Sequence, residues 1–314
     1  MNPAKKAFIF PGHCVKVGMG FKDLPLPAAT AELYKRADEI LGCKISDIMQ
    51  YGPIEQLRST VNSQTATFLA SIAAFYDTTG SGIFPDVLVG RSQGDFTAIV
   101  ASGALPFEEG LGIIRQRGAI FERACNRNPG RMAVILGLPE KTVRLICADA
   151  TVEKNGVCKI AGINTDFNIV ISGTIDAVND AVDKAGKNGA SIMDIAVPGP
   201  FHTPLMKEAE LEYAEIFNKV IFRPPGFPII YDFLEKGIID SCAGLKDFSV
   251  AQITRAVNWK RKTEIMRDMG VLIFCELGPS QGMARIASGK IPGSSFYEIE
   301  AHSDVVALES ALTA

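Results

Sequence analysis

The chain has 314 residues, of which 47% are hydrophobic and 21% charged, and this composition excludes a disordered or a fibrous protein. Its 32 basic and 35 acidic residues give a net charge of −3, so no basic excess indicates nucleic-acid binding. Seven scattered cysteines form no Cys-x-x-Cys pair, a usage typical of a reducing compartment rather than of disulfides or structural zinc. No stretch approaches the ~20 apolar residues of a membrane span. We therefore expect a cytoplasmic protein that binds no membrane.

The first part of the chain predicts a parallel sheet covered by helices. Residues 7–10 form a short apolar run that ends in Pro-Gly, the pattern of a buried strand followed by a loop. Apolar residues four apart predict a helix over 28–41, and a second, more apolar helix is predicted over 68–75. A strand over 86–90 and a helix over 94–102 follow. Strands that alternate with helices and are buried on both faces indicate an α/β fold.

The pattern changes over 128–198, where strands and helices follow one another in the order βαββαβ. This order is that of the split ferredoxin-like motif, so we predict a small inserted ferredoxin-like subdomain there. Residues 1–127 and 199–314 then form the large α/β catalytic domain, with 271–277 as its last core strand. The predicted elements of the insertion are strands at 132–136, 158–164, 168–172 and 191–196 and helices at 140–148 and 175–187.

Residues 90–94, Gly-Arg-Ser-Gln-Gly, match the G-x-S-x-G nucleophile elbow and lie between a predicted strand and a predicted helix. Glycines flank the serine where the backbone must turn sharply, and the turn lifts Ser92 Oγ off the sheet. The amino end of the following helix directs N–H groups towards a developing oxyanion. The motif also occurs by chance, but this context favours a serine nucleophile in an α/β-hydrolase-like core.

A serine nucleophile needs a base, and the chain has three histidines. His302 lies in a polar stretch near the C-terminus, which predicts a surface position. His13 follows the first strand, where a loop reaches the carboxyl edge of the sheet. His202 lies in a loop rich in proline and glycine, before a helix predicted over 205–217. From the residues alone, His13 and His202 both remain candidates for the base.

Beyond the elbow, several ordered motifs resemble those of the malonyl-CoA:acyl carrier protein transacylases, enzymes that load acyl carrier proteins. The resemblance is collinear over nearly the whole chain and implies a fold with an inserted ferredoxin-like subdomain. The chain resembles either the enzyme of fatty-acid synthesis or a stand-alone acyltransferase of a polyketide synthase. The motifs are Phe10–Gly12, the elbow with residues 94–105, Arg117–Gly118, Asn164, Ile169–Gly173, Gly199–Met206, Gln252 and Glu276–Pro279.

The resemblance assigns five residues to the reaction. Ser92 would take the acyl group from coenzyme A as an oxygen ester, and His202 would be the general base. The same histidine would then activate the phosphopantetheine thiol of the carrier. In the family a backbone carbonyl orients this histidine, and the matching position here is Gln252. The backbone N–H groups of His13 and Gln93 would form the oxyanion hole.

The resemblance also implies a set of substrate-binding residues. Arg117 would hold the free carboxylate of a malonyl group in a bidentate fork, for which arginine is suited and lysine is not. Without the resemblance, an arginine on a helix surface would be the better interpretation. Gln64, Phe201 and Asn164 complete the implied set.

Three departures from the family pattern lie on the acyl pocket by homology. Residues 13–16, His-Cys-Val-Lys, replace the end of the family's Phe-Pro-Gly-Gln-Gly-Ser-Gln loop, and a Met-Gln pair becomes Phe121–Glu122. Arg91 stands where a histidine usually precedes the nucleophile. Two interpretations of Arg91 stay open. It is either a second cation for a more anionic or more polar substrate, or the partner of a nearby carboxylate such as Asp95, four residues further along a helix.

Three functions are compatible with these residues. The first is transfer of malonyl, or a related carboxyacyl group, from an acyl-CoA to an acyl carrier protein, and the second is hydrolysis of acyl groups from carrier proteins. Arg117 favours transfer, because a hydrolase of plain acyl chains needs no buried guanidinium. The third, a non-catalytic partner of the carrier, gives no reason to retain Ser92 and His202. We expect a monomer without metal or cofactor, apart from coenzyme A as substrate carrier and the phosphopantetheine of its partner.

Overall fold

The computed structural model describes residues 4–234 and 237–313, which form two compact units. The first unit takes in the described residues of 1–119, 221–245 and 262–314. The second takes in 120–220 and 246–261. The chain thus leaves the first unit and returns to it twice.

Both units are built from strands and helices. The strands are β1 (Lys5–Phe10), β2 (Val87–Gly90), β3 (Gly130–Leu136), β4 (Cys158–Thr165), β5 (Asn168–Thr174), β6 (Ser191–Ile195), β7 (Ile229–Ile230), β8 (Ile238–Ile239), β9 (Val257–Asn258), β10 (Val271–Leu277) and β11 (Ser295–Ile299). The helices are α1 (Ala28–Leu41), α2 (Ile45–Tyr51), α3 (Ile54–Arg58), α4 (Thr60–Gly80), α5 (Gln93–Ala101), α6 (Phe107–Arg127), α7 (Glu140–Glu153), α8 (Ile175–Lys187), α9 (Lys207–Phe217), α10 (Leu245–Ala251), α11 (Trp259–Asp268), α12 (Met283–Ser288) and α13 (His302–Thr313).

The first unit contains a sheet in the order β11-β10-β1-β2-β7-β8, parallel except for β8. All four residues of β2 and the last four of β1 are buried, as expected for parallel strands covered on both faces. The sequence prediction of an α/β fold with a parallel sheet is therefore confirmed. Because β10, β1 and β2 are neighbours, the loops at their carboxyl ends meet at one edge of the sheet, where α/β folds bind ligands.

The second unit contains a sheet in the order β6-β3-β5-β4-β9. Its first four strands pair antiparallel, and β9 adds to β4 in parallel. Together with α7 and α8, those four strands follow the βαββαβ order along the chain. The helices and the sheet share one apolar core. Its members include Ala133, Ile135, Val143, Ile146, Ile169, Ile171, Ala177, Val178 and Ala181.

Two of the helices that differ from their predicted bounds do so for local reasons. The helix expected over 68–75 is α4, which is much longer because the hydroxyl and amide side chains before the apolar run are also buried and helical. The helix expected from Leu205 begins at Lys207, after a 3₁₀ turn over Pro204–Met206. Thr203 caps that turn, since its side chain accepts a hydrogen bond from the Leu205 N–H. Within the described residues, no helix is both long and apolar enough to cross a membrane.

Candidate active site

Ser92 lies at the turn between β2 and α5, as the elbow motif predicts, and is half-buried. Its φ of 54° and ψ of −117° are rare for a residue with a side chain, and such backbone strain costs about 1–3 kcal/mol. The flanking glycines are required sterically. A Cβ on Gly90 would lie 2.0 Å from the Asp95 nitrogen, and one on Gly94 would lie 2.1 Å from the Phe10 oxygen. A residue with a Cβ at position 90 or 94 would therefore force the backbone of the turn to shift.

The loop after β1 is held by a residue that the sequence analysis missed. The side-chain amide of Gln281 donates to the carbonyl oxygens of Gly12 at 3.2 Å and His13 at 2.8 Å, and accepts from the Gly12 N–H at 3.2 Å. Gln281 follows β10, the neighbour of β1, so it could have been found as a polar residue at the same carboxyl edge of the sheet as the loop.

Gln93, whose N–H is the second predicted oxyanion donor, is the first residue of α5. The N–H groups in the first turn of a helix have no acceptor within the helix.

Glu276, at the end of β10, fixes Gln281 in turn. Its fully buried carboxylate accepts hydrogen bonds from the backbone N–H groups of Gln281 at 2.8 Å and Ala284 at 3.0 Å. Burial raises the pKa of Glu276, although these hydrogen bonds oppose the shift. The loop after β1 therefore depends on a chain of contacts that begins inside the sheet.

Two groups on the loop after β1 are electrostatically unsuited to act as nucleophile or base. Burial, and secondarily the positive charge of Arg117, lowers the pKa of His13 to about 4. Burial raises the pKa of the Cys14 thiol. His13 is neutral at pH 7, but its low basicity makes it a poor proton acceptor.

His202 is buried and has its ring orientation fixed by main-chain oxygens. Its Nδ1 lies 3.0 Å from the carbonyl oxygens of both Gln252 and Arg255. Carbonyl oxygens only accept hydrogen bonds, so Nδ1 carries a proton, and in the neutral form of the ring Nε2 presents a lone pair. Gln252 is the position that the sequence analysis singled out. The carbonyl of Arg255 was not predicted, because every residue type has a main-chain carbonyl and the sequence does not show which one accepts a hydrogen bond.

Arg117 is only 3% exposed, so its interpretation as a surface arginine is wrong. Its Nη1 donates to Oε1 of Gln64 at 2.5 Å, and the main-chain oxygen of Gln64 accepts from Nε2 of Gln93 at 2.6 Å. Gly118 lets α6 approach α4 closely, since a Cβ there would lie 2.6 Å from the Cα of Val61. Gln64 thus contacts both the arginine and the residue that follows Ser92.

Arg91 does not pair with Asp95, so the partner suggested by the helical spacing is wrong. Asp95 binds Nζ of Lys262 instead, at 2.6 Å. Nη1 of Arg91 donates a long hydrogen bond of 3.4 Å to Oε1 of Gln281, which places it beside the loop after β1. Burial lowers the pKa of Arg91, while the charge of Glu276 raises it.

The remaining candidates lie in the second unit, except for His302. The ring of Phe201 packs on that of Phe121 with centroids 5.2 Å apart, and Nδ2 of Asn164 donates to Oδ1 of Asn168 at 2.9 Å. His302 is exposed and lies 3.0 Å from Asp77, which confirms its surface position. All seven cysteines are free thiols, and the described residues contain no cluster of His, Cys, Asp or Glu suited to a metal.

The candidates divide between the units. The first unit brings together the elbow, the loop after β1 and the two arginines with Gln64, while the second holds His202 with its carbonyl acceptors, Phe201 and Asn164. Strand and helix patterns alone do not assign these groups to separate compact units.

Comparison with known proteins identifies the family. The acyl transferase domain model matches residues 7–272. The malonyl CoA-acyl carrier protein transacylase of Bacillus subtilis is 32% identical over 280 residues, 88% of each chain. The solved structure of the Coxiella burnetii malonyl CoA-acyl carrier protein transacylase has a TM-score of 0.93 at 28% identity and covers 99% of both chains. A malonyl-transacylase solved in complex with a type II polyketide synthase acyl-carrier protein has a TM-score of 0.91 at 25% identity, over 98% of this chain and 100% of that one. With its strained serine elbow and buried Arg117, this chain belongs to the malonyl-CoA:acyl carrier protein transacylase family of acyl transferase domains.

Proposed function

We propose that this protein transfers a malonyl group from coenzyme A to the phosphopantetheine thiol of an acyl carrier protein, through an ester on Ser92. The observation that carries the proposal is the buried Arg117, held by Gln64 in the same unit as the elbow. A buried guanidinium presents a fixed fork of N–H donors, which matches the two oxygens of a carboxylate. The free carboxylate of a malonyl group fits that fork, and the names of the relatives from Bacillus subtilis and Staphylococcus aureus support this substrate.

In the first half-reaction, Ser92 Oγ attacks the thioester carbonyl of malonyl-CoA. Nε2 of His202 takes the hydroxyl proton, and the N–H groups of Gln93 and His13 stabilise the oxyanion. Collapse of the tetrahedral intermediate breaks the carbon–sulfur bond, and the proton passes from His202 to the departing coenzyme A sulfur. The fixed Nδ1 proton of His202 supports this role, because it leaves Nε2 as the basic nitrogen.

In the second half-reaction, the phosphopantetheine thiol of the carrier replaces coenzyme A. His202 takes the thiol proton, the sulfur attacks the ester carbonyl, and the proton returns to Ser92 Oγ as the ester bond breaks. The same oxyanion donors serve both halves, because both pass through a tetrahedral intermediate at the same carbonyl carbon.

The substrate-binding residues would act on the malonyl group. Arg117 clamps the carboxylate with two parallel N–H donors, and Gln64 orients the guanidinium. Arg91, Phe201 and Asn164 are the remaining substrate-binding residues of this proposal. We place the reaction in the cytoplasm of a cell that makes fatty acids or polyketides, with the protein acting as a monomer. Seven unpaired cysteines support a reducing compartment.

Intact-protein mass spectrometry after mixing with malonyl-, methylmalonyl- and acetyl-CoA tests this function. We expect malonyl-CoA to add the mass of one malonyl group, and Ser92→Ala to abolish the addition. An unchanged addition in Ser92→Ala would remove Ser92 as the nucleophile. Loading by acetyl-CoA in preference to malonyl-CoA would rule out Arg117 as a clamp for the substrate carboxylate.

A further inference from the structure

Lys262, on α11, is completely buried at 0% exposure. Its ammonium group forms hydrogen bonds with two residues of the elbow and α5, although α11 is distant from them in the sequence. Nζ donates to the main-chain oxygen of Gly90 at 2.9 Å and to Oδ1 of Asp95 at 2.6 Å. A second carboxylate, that of Asp232, lies 3.8 Å away, and the ring of Tyr231 is 5.8 Å from Nζ. Lysine is almost never fully buried unless it is paired, so this position is a specific one.

The two hydrogen bonds of Lys262 reach both arms of the turn that carries Ser92. Gly90 is the last residue of β2, two positions before the serine, and Asp95 lies in the first turn of α5, three positions after it. The turn has its own main-chain bond, from the Asp95 N–H to the Ser92 oxygen at 3.0 Å. Lys262 adds a connection from a segment that is distant in the chain.

Backbone strain of the kind seen at Ser92 persists only where the surroundings over-determine the conformation. The close contacts of Gly90 and Gly94 prevent larger residues but do not pull the two arms of the turn together. The ammonium of Lys262 does bind both arms.

We propose that Lys262 is a positioning residue for the nucleophile, which acts through Gly90 and Asp95 to aim Ser92 Oγ at the acyl carbonyl. The proposal rests on the proposed function only in that Ser92 is the nucleophile. The alternative is that Lys262 merely balances the buried charge of Asp95. The bond to the main-chain oxygen of Gly90 separates the two, because charge balance does not require it.

Two variants separate these two roles. Lys262→Met alone leaves the Asp95 carboxylate buried without its ammonium partner. The double variant Lys262→Met, Asp95→Asn removes that carboxylate charge as well, while Asp232 is the same in both variants. Balance of the Asp95 charge predicts that the double variant acylates Ser92 faster than Lys262→Met does, at close to the wild-type rate. A positioning role predicts that the double variant stays slow, because it too lacks the bond from Lys262 to Gly90.

We expect the double variant to lose roughly 10- to 100-fold in the rate of Ser92 acylation at saturating malonyl-CoA, with the half-saturating concentration unchanged, as a nucleophile misplaced by about 1 Å would. Rates are taken per folded molecule, with folding checked by circular dichroism and thermal unfolding. Lys260→Met is the matched control, because Lys260 lies on the same helix with an exposed side chain paired to Asp166. A double variant as fast as the wild type would overturn the proposal.

A second probe separates this proposal from the proposed function. A fluorophosphonate that labels activated serines reports on Ser92 without any malonyl group. If malonyl-CoA fails to load the wild type while labelling still slows in the double variant, the proposed function is wrong and the positioning role stands. If malonyl-CoA loads normally and both variants are labelled at the wild-type rate, the function stands and the positioning role is wrong.

Discussion

The two units hold their functional groups by different means. In the first, side chains and glycines fix the backbone, as Gln281 does for the loop after β1 and Lys262 does for the elbow. In the second, the backbone fixes a side chain, because two carbonyl oxygens orient the ring of His202. A backbone held by side chains is vulnerable to substitution at many positions. A ring held by carbonyls is vulnerable chiefly at the histidine itself.

The largest effect is expected from the histidine of the second unit. His202→Ala should lower malonyl transfer by roughly the 10²- to 10⁴-fold typical of a lost general base. His13→Ala should cost less, because the low pKa of His13 makes it a weak base. Steady-state kinetics of malonyl transfer in the two variants show which histidine is the general base. A larger loss in His13→Ala would reverse the assignment of the base.

Arg117 tests the carboxylate clamp of the first unit. Removing one side of a buried charge pair costs about 2–5 kcal/mol, or roughly 30- to 5,000-fold at 1.4 kcal/mol per decade. Arg117→Ala should lower kcat/KM for malonyl-CoA by that order and spare acetyl-CoA, which has no carboxylate. Arg117→Lys should recover only part, since an ammonium cannot reproduce the fork.

The control for this variant is Arg115→Ala, on the same helix, where the guanidinium binds the side chain of Asn62 at 3.1 Å. It should leave the ratio of malonyl to acetyl transfer unchanged. Equal losses for both substrates in Arg117→Ala would show that no carboxylate clamp exists, and the hydrolase would become the better interpretation.

Two glycines of the first unit measure how tightly its backbone is packed. Gly94→Ala should lower the free energy of unfolding by about 3 kcal/mol or more, because the new Cβ overlaps the Phe10 oxygen. Gly112→Ala should raise it by roughly 0.5–1 kcal/mol, since no atom lies within 4 Å of that Cβ and alanine favours the helix. Urea unfolding compares the two, and equal effects would refute the tight contact at the elbow.

The smallest effect concerns the pH dependence of stability through His13. Its pKa of about 4 in the folded state lies below the ordinary value of 6.5. Between these values the unfolded chain binds a proton that the folded chain does not, so His13 lowers stability as the pH falls. His13→Gln should therefore gain stability relative to the wild type when the pH is lowered from 7 to 5. A difference that stays constant with pH in urea unfolding would contradict the burial of a neutral imidazole.

The predictable features are those with a local sequence pattern. The buried runs of β1 and β2 and the G-x-S-x-G turn each lie within a few residues, so the parallel sheet and the elbow follow from the sequence. Lys262 does not, because it contacts Gly90 across 172 positions and lies among charged residues that are typical of an exposed helix. The wrong pairing of Arg91 with Asp95 has the same origin, since helical spacing cannot reveal a distant lysine.

The fate of the acyl group on Ser92 tests the central claim most directly. The enzyme is loaded with malonyl-CoA, freed of coenzyme A, and mixed with acyl carrier protein bearing phosphopantetheine or with buffer alone. Intact-mass spectrometry then follows the loss of the malonyl group. A transferase predicts rapid loss only with the carrier, together with an equal gain of malonyl on the carrier. Equally rapid loss in buffer, with no malonyl on the carrier, would contradict malonyl transfer and establish a hydrolase.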